Sequence, residues 1–446
     1  MSASPRLEVP EPAVEIARRL EKAGHEAWCV GGAVRDALLG HPGLDWDFAT
    51  SATPQQVRRL FRRTVPVGIE HGTIGVLDAA GTLHEVTTFR RDVQTDGRHA
   101  VVEFGASLEE DLARRDFTIN AIAYSPLRHE LRDPFGGRDD LARRVVRAVG
   151  EPAERMREDR LRALRAIRFA ARFGFEIEPA TWRAIADSAP YLGRLSPERV
   201  KQELEKTMEQ VAQPALALRR WRDSGALATL VPPLAGMTDV QLAALDCLPA
   251  PVLRTRPQRR LNRIALLFIA IGGRDAEHAT RALRFSNADI RWIGALAERW
   301  ALLGAPMRAA LLTAPASDAT LRRWAATAGR TRIAPLLRLA SALWAAERGA
   351  GTDAPSAERL RSTYRRAVRI AYRDAIEIGD LAVDGDDLQR AGVRAGPTLG
   401  KILHALVQRV LDDPSLNTRD RLVALALELQ RTLDAGGQLP PSDTAR

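Results

Sequence analysis

Two aspartates one residue apart, Asp45 and Asp47, are the side chains of this sequence best suited to chemistry. In a strand over Leu44 to Ala49 the two-residue period puts both carboxylates on one face and turns Trp46 and Phe48 the other way, into a core. Adjacent carboxylates repel unless a cation lies between them, so the pair is a seat for a divalent metal. Magnesium suits it, because it takes oxygen ligands and keeps positions open for substrate phosphates. A solvated strand edge would show the same pattern, and the upstream residues weigh against that reading. Gly31-Gly32 lets backbone N–H groups come close to a phosphate, and Arg35 follows on the helix they open. Asp36 is placed to cap or orient. Glu85, on a later strand, is either a further carboxylate near the pair or an outward-facing residue.

A second chemical stretch is Glu158 to Phe173, EDRLRALRAIRFAARF. Read as one helix, it places Asp159 and Arg162 on a common face, with Arg165 and Arg168 continuing the row and Leu161, Leu164, Ile167 and Phe169 opposite. An Asp acceptor beside an Arg donor can read the Watson–Crick edge of a base, and the arginines beyond can take a triphosphate. A solvated amphipathic helix with salt bridges such as Glu158 to Arg162 accounts for the same spacing. Arg115, at the mouth of an expected strand from Phe117 to Tyr124, is either a phosphate or ribose contact or a surface residue. Arg90 to Arg98, RRDVQTDGR, reads as a mobile loop able to close over a substrate.

The elements that must position these groups are legible from periodicity. Ala13 to Ala23 is helical with Gly24 as its stop, Ala27 to Val30 is a strand, and Thr53-Pro54 opens another helix. Thr64 to Val67, Thr73 to Asp78 and Leu83 to Phe89 are strands rich in β-branched residues, which together predict a mixed sheet. From Pro152 onward the composition turns to Ala, Leu and Arg without a convincing strand, so the fold class is α+β with an all-helical remainder. Ser196-Pro197 opens a helix bearing Arg199, Lys201 and Lys206. In the last helical region, Gly392, Gly396 and Gly400 either admit nucleic-acid backbone or serve helix packing at tight turns.

A length of 446 residues suggests about three domains. Hydrophobic residues at 45% and charged residues at 27% exclude a disordered chain. The formal charge of +10 and pI near 10.4 point to a polyanionic partner such as nucleic acid. Nearly all the positive charge is Arg, which forks onto phosphate better than Lys. Cys29 and Cys247 read as buried thiols in a reducing compartment, with no disulfide partner and no zinc site. The opening residues carry no leader pattern and no run spans a bilayer, so the chain reads as cytoplasmic with no membrane association.

Taken in order, these residues resemble the class II tRNA nucleotidyltransferases, the CCA-adding enzymes, which share their head with bacterial poly(A) polymerases. Gly31-Gly32-Ala33-Val34-Arg35-Asp36 with Asp45 and Asp47 is similar to the family's first motif. The resemblance implies that the aspartates bind the catalytic magnesium, in a two-metal mechanism, and that Gly32 and Arg35 contact the nucleotide. Arg114-Arg115-Asp116-Phe117-Thr118-Ile119-Asn120-Ala121 resembles the ribose and phosphate motif, with Arg115 as contact. Asp96-Gly97-Arg98 resembles the flexible loop used in moving from C to A addition. Glu158-Asp159 with Arg162 resembles the amino-acid template, and Arg165 and Arg168 match further nucleotide contacts. The implied organisation is a nucleotidyltransferase head with a mixed sheet (1–150), an all-helical neck with the nucleotide-selecting helix (151–210), a body (211–348) and a tRNA-binding tail (356–446). The implied activity is template-independent addition of CCA to tRNA from CTP and ATP with release of pyrophosphate, the partner being the tRNA acceptor arm. The competing readings are a CC-adding or A-adding enzyme, a poly(A) polymerase, and a non-catalytic RNA-binding protein. The eight histidines include no His-Asp dipeptide, so the phosphohydrolase activities of some relatives are not expected.

Overall fold

Four successive buried residues, Ala27–Val30 (β1), form an inner strand of a seven-stranded sheet. The computed structural model describes residues 6–41, 43, 45–95, 100–249 and 257–435, and it divides into two units, Met1–Pro232 and Pro233–Arg446. In the first unit the strands continue as β2 (Asp47–Thr50), β3 (Thr64–Gly68), β4 (Thr73–Leu77), β5 (Leu83–Thr88), β6 (Arg90–Thr95), β7 (Ala100–Phe104), β8 (Ala123–Ser125), β9 (Glu130–Arg132), β10 (Val145–Val146) and β11 (Glu176–Ile177). Its helices are α1 (Glu11–Lys22), α2 (Gly32–Leu38), α3 (Pro54–Leu60), α4 (Leu108–Ala113), α5 (Gly137–Arg143), α6 (Pro152–Glu158), α7 (Leu161–Phe173), α8 (Pro179–Ser188), α9 (Pro197–Gln210), α10 (Pro214–Asp223) and α11 (Ala226–Leu230).

The sheet order is β3-β4-β5-β2-β1-β8-β9. β2 runs parallel to β5, with Phe48 opposite Val86, and antiparallel to β1, with Val30 opposite Asp47, so the sheet is mixed as expected. Trp46 and Phe48 are completely buried while Asp45 is exposed and Asp47 half-buried, the alternation a strand period demands. The ladder begins only at Asp47. Ahead of it Trp46 is fixed through its indole N–H to the Gly43 carbonyl (2.9 Å) and through its own carbonyl to His84 Nδ1 (3.0 Å). Thr53 closes a capping box with Gln56 at the start of α3.

Several expectations give way to local backbone chemistry. The segment Phe117 to Tyr124 is not one strand. Phe117 makes a single bridge to Ala148, Thr118–Asn120 is a 3-10 turn, and only Ala123–Ser125 joins the sheet. The Asn120 N–H is already satisfied by the Phe117 carbonyl at 2.9 Å. Arg90 to Thr95 is not loop but one arm of a β6–β7 hairpin, in which Arg91 faces Glu103 and bonds it at 2.8 Å. The expected flexible-loop residues Asp96, Gly97 and Arg98 lie outside the described residues. A short strand does occur beyond Pro152, β11, which pairs in parallel with β10. Cys29 is buried as expected, but Cys247 is exposed, because neighbouring Ala244, Leu245 and Leu248 take the core positions of its turn.

The second unit is helical throughout its described residues: α12 (Asp239–Ala243), α13 (Pro257–Phe268), α14 (Gly273–Ala282), α15 (Asn287–Thr313), α16 (Asp318–Ala328), α17 (Ile333–Gly349), α18 (Ala357–Arg373), α19 (Gly385–Arg390), α20 (Pro397–Asp412) and α21 (Arg419–Asp434). α18 packs on α16 and α17, and Ile402, Leu406 and Val410 of α20 close a core with Leu422 and Ala426 of α21. Gly392 and Gly396 have φ of +103° and +114°, as their turns require, whereas Gly400 is helical with open space where a Cβ would stand. Among the described residues no helix is long and apolar enough to cross a membrane.

The start of α5 lies directly on the 3-10 turn that presents Asn120. A Cβ on Gly137 would stand 2.2 Å from the Thr118 carbonyl oxygen, so the two backbones are in contact. Gly137→Ala is expected to destabilise the protein by about 1–3 kcal/mol through overpacking, read as a lowered midpoint in chemical denaturation. A midpoint equal to that of the parent protein would show that this contact is readily relaxed.

Candidate active site

Asp47 heads β2 beside Glu85 of β5, and its carboxyl is the most perturbed acid of the sheet. Its pKa is pushed up to about 7, first by burial and then by the negative charges of Glu85 and Asp45, with the Glu85 backbone and the Arg115 charge opposing the shift. Glu85 is raised as well, by burial and by Asp45. The strand register thus gathers a third carboxylate at the expected pair, and Glu85, though exposed on its strand, stands as the further carboxylate of its two readings.

Asp47 lines an open cleft of about 440 Å³. Gly31 and Gly32 form part of its wall where β1 turns into α2. Gly31 has φ of +74°, and a Cβ there would stand 3.2 Å from Nη1 of Arg115, so the turn and the close approach of that guanidinium both need glycine. Arg115 is steadied through Nη2 to Asp111 Oδ2 at 3.1 Å. Burial alone would raise the Asp111 carboxyl, but the charges of Arg115 and Arg114 hold it below its ordinary value. Across the cleft stand Asp159, Arg162 and Arg165. A second hollow of about 280 Å³, lined by Glu85, Thr73 and Thr87 among others, shares Asp47, Arg114 and Arg115 with the first. Asp47 therefore faces two adjoining spaces.

Glu158 to Phe173 is not a single helix, as its periodicity predicts. α6 ends at Glu158, Asp159 is extended with φ of −146° and ψ of 103°, and α7 starts at Leu161. The cause is Asp159 itself, whose Oδ1 accepts from the Leu161 N–H at 3.0 Å and caps the new helix. Its Oδ2 accepts from Arg199 Nη2 at 2.7 Å. Arg162 donates to Glu158 Oε2 (2.5 Å) and to the carbonyls of Arg155 (3.0 Å) and Arg114 (2.9 Å), so the salt bridge suggested by spacing is present. Those three bonds leave donor capacity in a group with five N–H.

Arg35 belongs to the cleft wall but is 3% exposed. Its guanidinium lies over the rings of Phe169 and Phe173, at 5.1 and 4.7 Å, and donates to Asn120 Oδ1 (2.6 Å) and Asp36 Oδ1 (2.8 Å). Asp36, also bonded by Arg172 at 3.4 Å, orients Arg35 in the role expected of it. Asn120 in turn donates to Asp116 Oδ1 (2.9 Å), and Arg165 grips Asp116 Oδ2 at 2.7 Å. Arg168 stands apart from the cleft lining. It is buried against Glu203 (2.7 Å) and reaches Gln210 (3.2 Å).

Sequence reasoning missed Asn120, Phe173, Arg199 and Glu203 as partners. The Asp116-to-Asn120 spacing of four was a usable signal, since the two side chains meet. Arg199 meets Asp159 across forty positions, which no local pattern reports. Arg160 and Arg194 flank the exposed ring of Tyr191 at 4.5 and 5.4 Å, a basic and aromatic rim immediately after Asp159 in the chain.

Comparison with known proteins places this geometry. Residues 27–147 match the poly A polymerase head domain family, 174–237 the RNA and SrmB binding site of polymerase A, and 256–426 the tRNA nucleotidyltransferase domain 2 family. The CCA-adding enzyme of Geobacillus stearothermophilus is 36% identical over 95% of this chain and 98% of its own length. That of Limosilactobacillus fermentum is 36% identical over 94% and 97%. A solved structure of the Bacillus stearothermophilus CCA-adding enzyme in complex with CTP superposes with a TM-score of 0.72 at 35% identity, over 96% of this chain and 98% of that one. Sharing more than a third of its residues with such enzymes over nearly their entire length, the chain belongs to the family of CCA-adding enzymes.

Proposed function

We propose that this enzyme adds CMP, CMP and AMP in turn to the 3′ end of tRNA, from CTP and ATP and without a nucleic-acid template, releasing pyrophosphate. The observation that carries this reading is the single cleft in which the Asp47 carboxylate faces Asp159, Arg162 and Arg165, on a chain matched end to end by CCA-adding enzymes. Full-length resemblance to those enzymes favours CCA addition over poly(A) synthesis, over partial addition and over a non-catalytic role.

Enzymes of this family are metal-dependent. The carboxylates of Asp45, Asp47 and Glu85 suit an oxygen-seeking divalent ion, because burial and then the charges of Glu85 and Asp45 raise Asp47, and a cation offsets both. No cage of three or more acidic, His or Cys ligands closes among the described residues. Asp45 and Asp47 would hold magnesium, an ion that also accepts phosphate and water oxygens. When bound, the metal, two ions in this reading, neutralises charge on the transferred phosphate and favours ionisation of the attacking 3′-hydroxyl.

The nucleotide occupies the larger hollow and the RNA 3′ end the smaller, so the two reactants meet at Asp47. Gly32 offers its backbone to phosphate at the start of α2, and Arg115 and Arg165 supply positive charge to triphosphate and ribose. Arg35 and Arg168, each locked by internal partners, keep α7 in place. Asp159 accepts from the exocyclic amino group that C and A share, and Arg162 donates to the adjoining ring acceptor. G and U present a carbonyl at that position, which a carboxylate repels.

Incubating the protein with tRNA lacking CCA and all four triphosphates, then sequencing the ends, should give CCA and nothing longer. Extended A tails or a bare CC product would overturn the assignment. Asp45→Ala is expected to slow incorporation by about 10³-fold or more, roughly 4 kcal/mol of transition-state stabilisation, with tRNA still bound. Normal incorporation would remove Asp45 from the metal site. For Asp159→Ala, competition assays should show preference for CTP and ATP over UTP and GTP reduced by about 10²-fold. Unaltered preference would mean the base is read elsewhere.

A test independent of activity follows from Asp47. In the metal-free protein its folded pKa of about 7 lies above the ordinary 3.8. Between those values the folded chain keeps a proton that the unfolded chain has released. Asp47 therefore lowers stability progressively as pH rises through this window, and the penalty is complete above it. In chelator at pH 8, Asp47→Asn is expected to be more stable than the parent by about 1–4 kcal/mol, with the gap closing towards pH 4. Added magnesium should raise the unfolding temperature of the parent alone.

A further inference from the structure

One polar side chain lies on the buried face of the sheet, directly behind the carboxylates. Along β5 the two-residue period leaves Glu85 and Thr87 towards the open face and sends His84, Val86 and Thr88 into the core. His84 is 1% exposed, and the Phe48 ring meets it edge-on at 6.4 Å. An imidazole at that depth forfeits its hydration and is tolerated only where its nitrogens are bonded. An aliphatic residue would fill the position without that cost, so the histidine answers a demand other than packing.

Both ring nitrogens have partners, and both partners bear on the site. Nδ1 lies 3.0 Å from the Trp46 carbonyl, which only accepts, so Nδ1 carries a proton and donates it. Nε2 lies 3.5 Å from Asp78 Oδ2. Asp78 is itself fixed, because its Oδ1 accepts from the Thr82 N–H at 2.8 Å across the turn from β4 to β5. The Trp46 carbonyl belongs to the peptide that leads from Trp46 into Asp47. Pairing of β2 with β5 starts only at Phe48 and Val86, so the ring serves this peptide where the ladder has not yet begun. One residue on, the Glu85 N–H bonds the Asp47 carboxyl. Successive residues of β5 thus hold the backbone leading into Asp47 and the Asp47 side chain, while on the other flank Val30 of β1 stands opposite Asp47.

We infer that His84, oriented by Asp78, is a positioning residue for the metal seat: it braces the Trp46–Asp47 peptide so that the Asp45 and Asp47 carboxylates converge on one divalent ion. The brace rests on that aspartate pair holding the ion, as proposed above. His84 is no ligand itself, since both nitrogens are engaged on the face of the sheet away from the carboxylates. Two carboxylates at the very start of a strand share an ion only while the peptide between them keeps its tilt. Rotation of that peptide would splay Asp45 from Asp47. Partners that orient metal ligands without touching the metal are worth about 10- to 100-fold in metal affinity or activity.

Two amides separate this role from packing. In His84→Asn the side-chain nitrogen falls near the place of Nδ1 and still donates to the Trp46 carbonyl. In His84→Gln it falls near the place of Nε2 and reaches Asp78 instead. Binding of Mn2+ to the nucleotide-free full chain is followed by the electron paramagnetic resonance of the free ion, with Asp45→Ala as control, and kcat and KM for CTP are measured on tRNA lacking CCA. His84→Gln should bind Mn2+ about 10-fold more weakly and lower kcat by about 10- to 100-fold, with KM for CTP within about twofold of the parent's. His84→Asn should stay within about threefold of the parent in both Mn2+ affinity and kcat. Normal Mn2+ binding by His84→Gln, or equal losses in the two amides, would overturn the brace. So would a loss in His84→Gln that only tracks its unfolded fraction, read from unfolding curves in chelator. If Asp45→Ala binds Mn2+ as the parent does, the aspartate pair is not the seat and the brace falls with it. If Asp45→Ala loses Mn2+ while His84→Gln keeps it, the seat stands and the brace alone falls.

Discussion

The position of α7 against the sheet depends on one buried carboxylate. Asp116 sits where the head meets the helix, gripped by Arg165 at 2.7 Å and by the Asn120 amide at 2.9 Å. Burial would drive it to take up a proton, but the Arg165 charge and the Asn120 bond hold it below its ordinary value. An unpaired charge at this depth costs several kcal/mol, so the helix cannot rotate away without exposing that cost. Asn120 passes the constraint to Arg35, whose guanidinium lies over the rings of Phe169 and Phe173. Arg165, Phe169 and Phe173 are four residues apart, so one stripe of α7 is locked to the head while Arg168 locks to Glu203 of α9. The groups on the cleft's far wall are thereby held in register with Asp47, on a different element and more than a hundred residues earlier.

Much of this architecture is legible in the sequence because it rests on short-range patterns. The alternation around Trp46 and Phe48, the Gly31-Gly32 turn and the β-branched strands each follow from the geometry of a few consecutive residues. The misreadings share a cause, which is competition for backbone hydrogen bonds. Asp159 has good helical neighbours on both sides, yet its side chain captures the Leu161 N–H and breaks the helix. The Phe117 region has strand composition, yet its amides are satisfied within a 3-10 turn pressed on Gly137. In Arg90 to Thr95 a polar composition suggested loop, but a partner strand supplied the ladder. The site's second layer, Arg199 on Asp159 and Glu203 on Arg168, depends on helix packing between distant segments, which periodicity does not encode.

Arginine has two distinct uses in this chain. Inside the first unit it is a fastener, spanning between elements and ending on carboxylates or carbonyls, as with Arg155 on Ala113 and Arg147 on Asp140. A planar fork with five donors can satisfy several acceptors at once, which a lysine cannot. Net charge is therefore a poor guide to where a polyanion binds. The informative residues are those with no internal acceptor.

The internal partners of Asp159 and Arg162 have a kinetic consequence. The two groups already have partners within the protein: Arg199 and the Leu161 N–H bond the carboxylate, and Glu158 and the Arg114 carbonyl bond the guanidinium. In a reader built from these two groups, a base enters by exchange against contacts that re-form when it leaves. An unsuitable base then meets a site content to stay closed upon itself. A suitable one gains only the difference between two sets of hydrogen bonds. Such a reader holds its ligand loosely and resets by itself. That serves an enzyme whose substrate, once incorporated, becomes part of the product and must vacate the cleft before the next round.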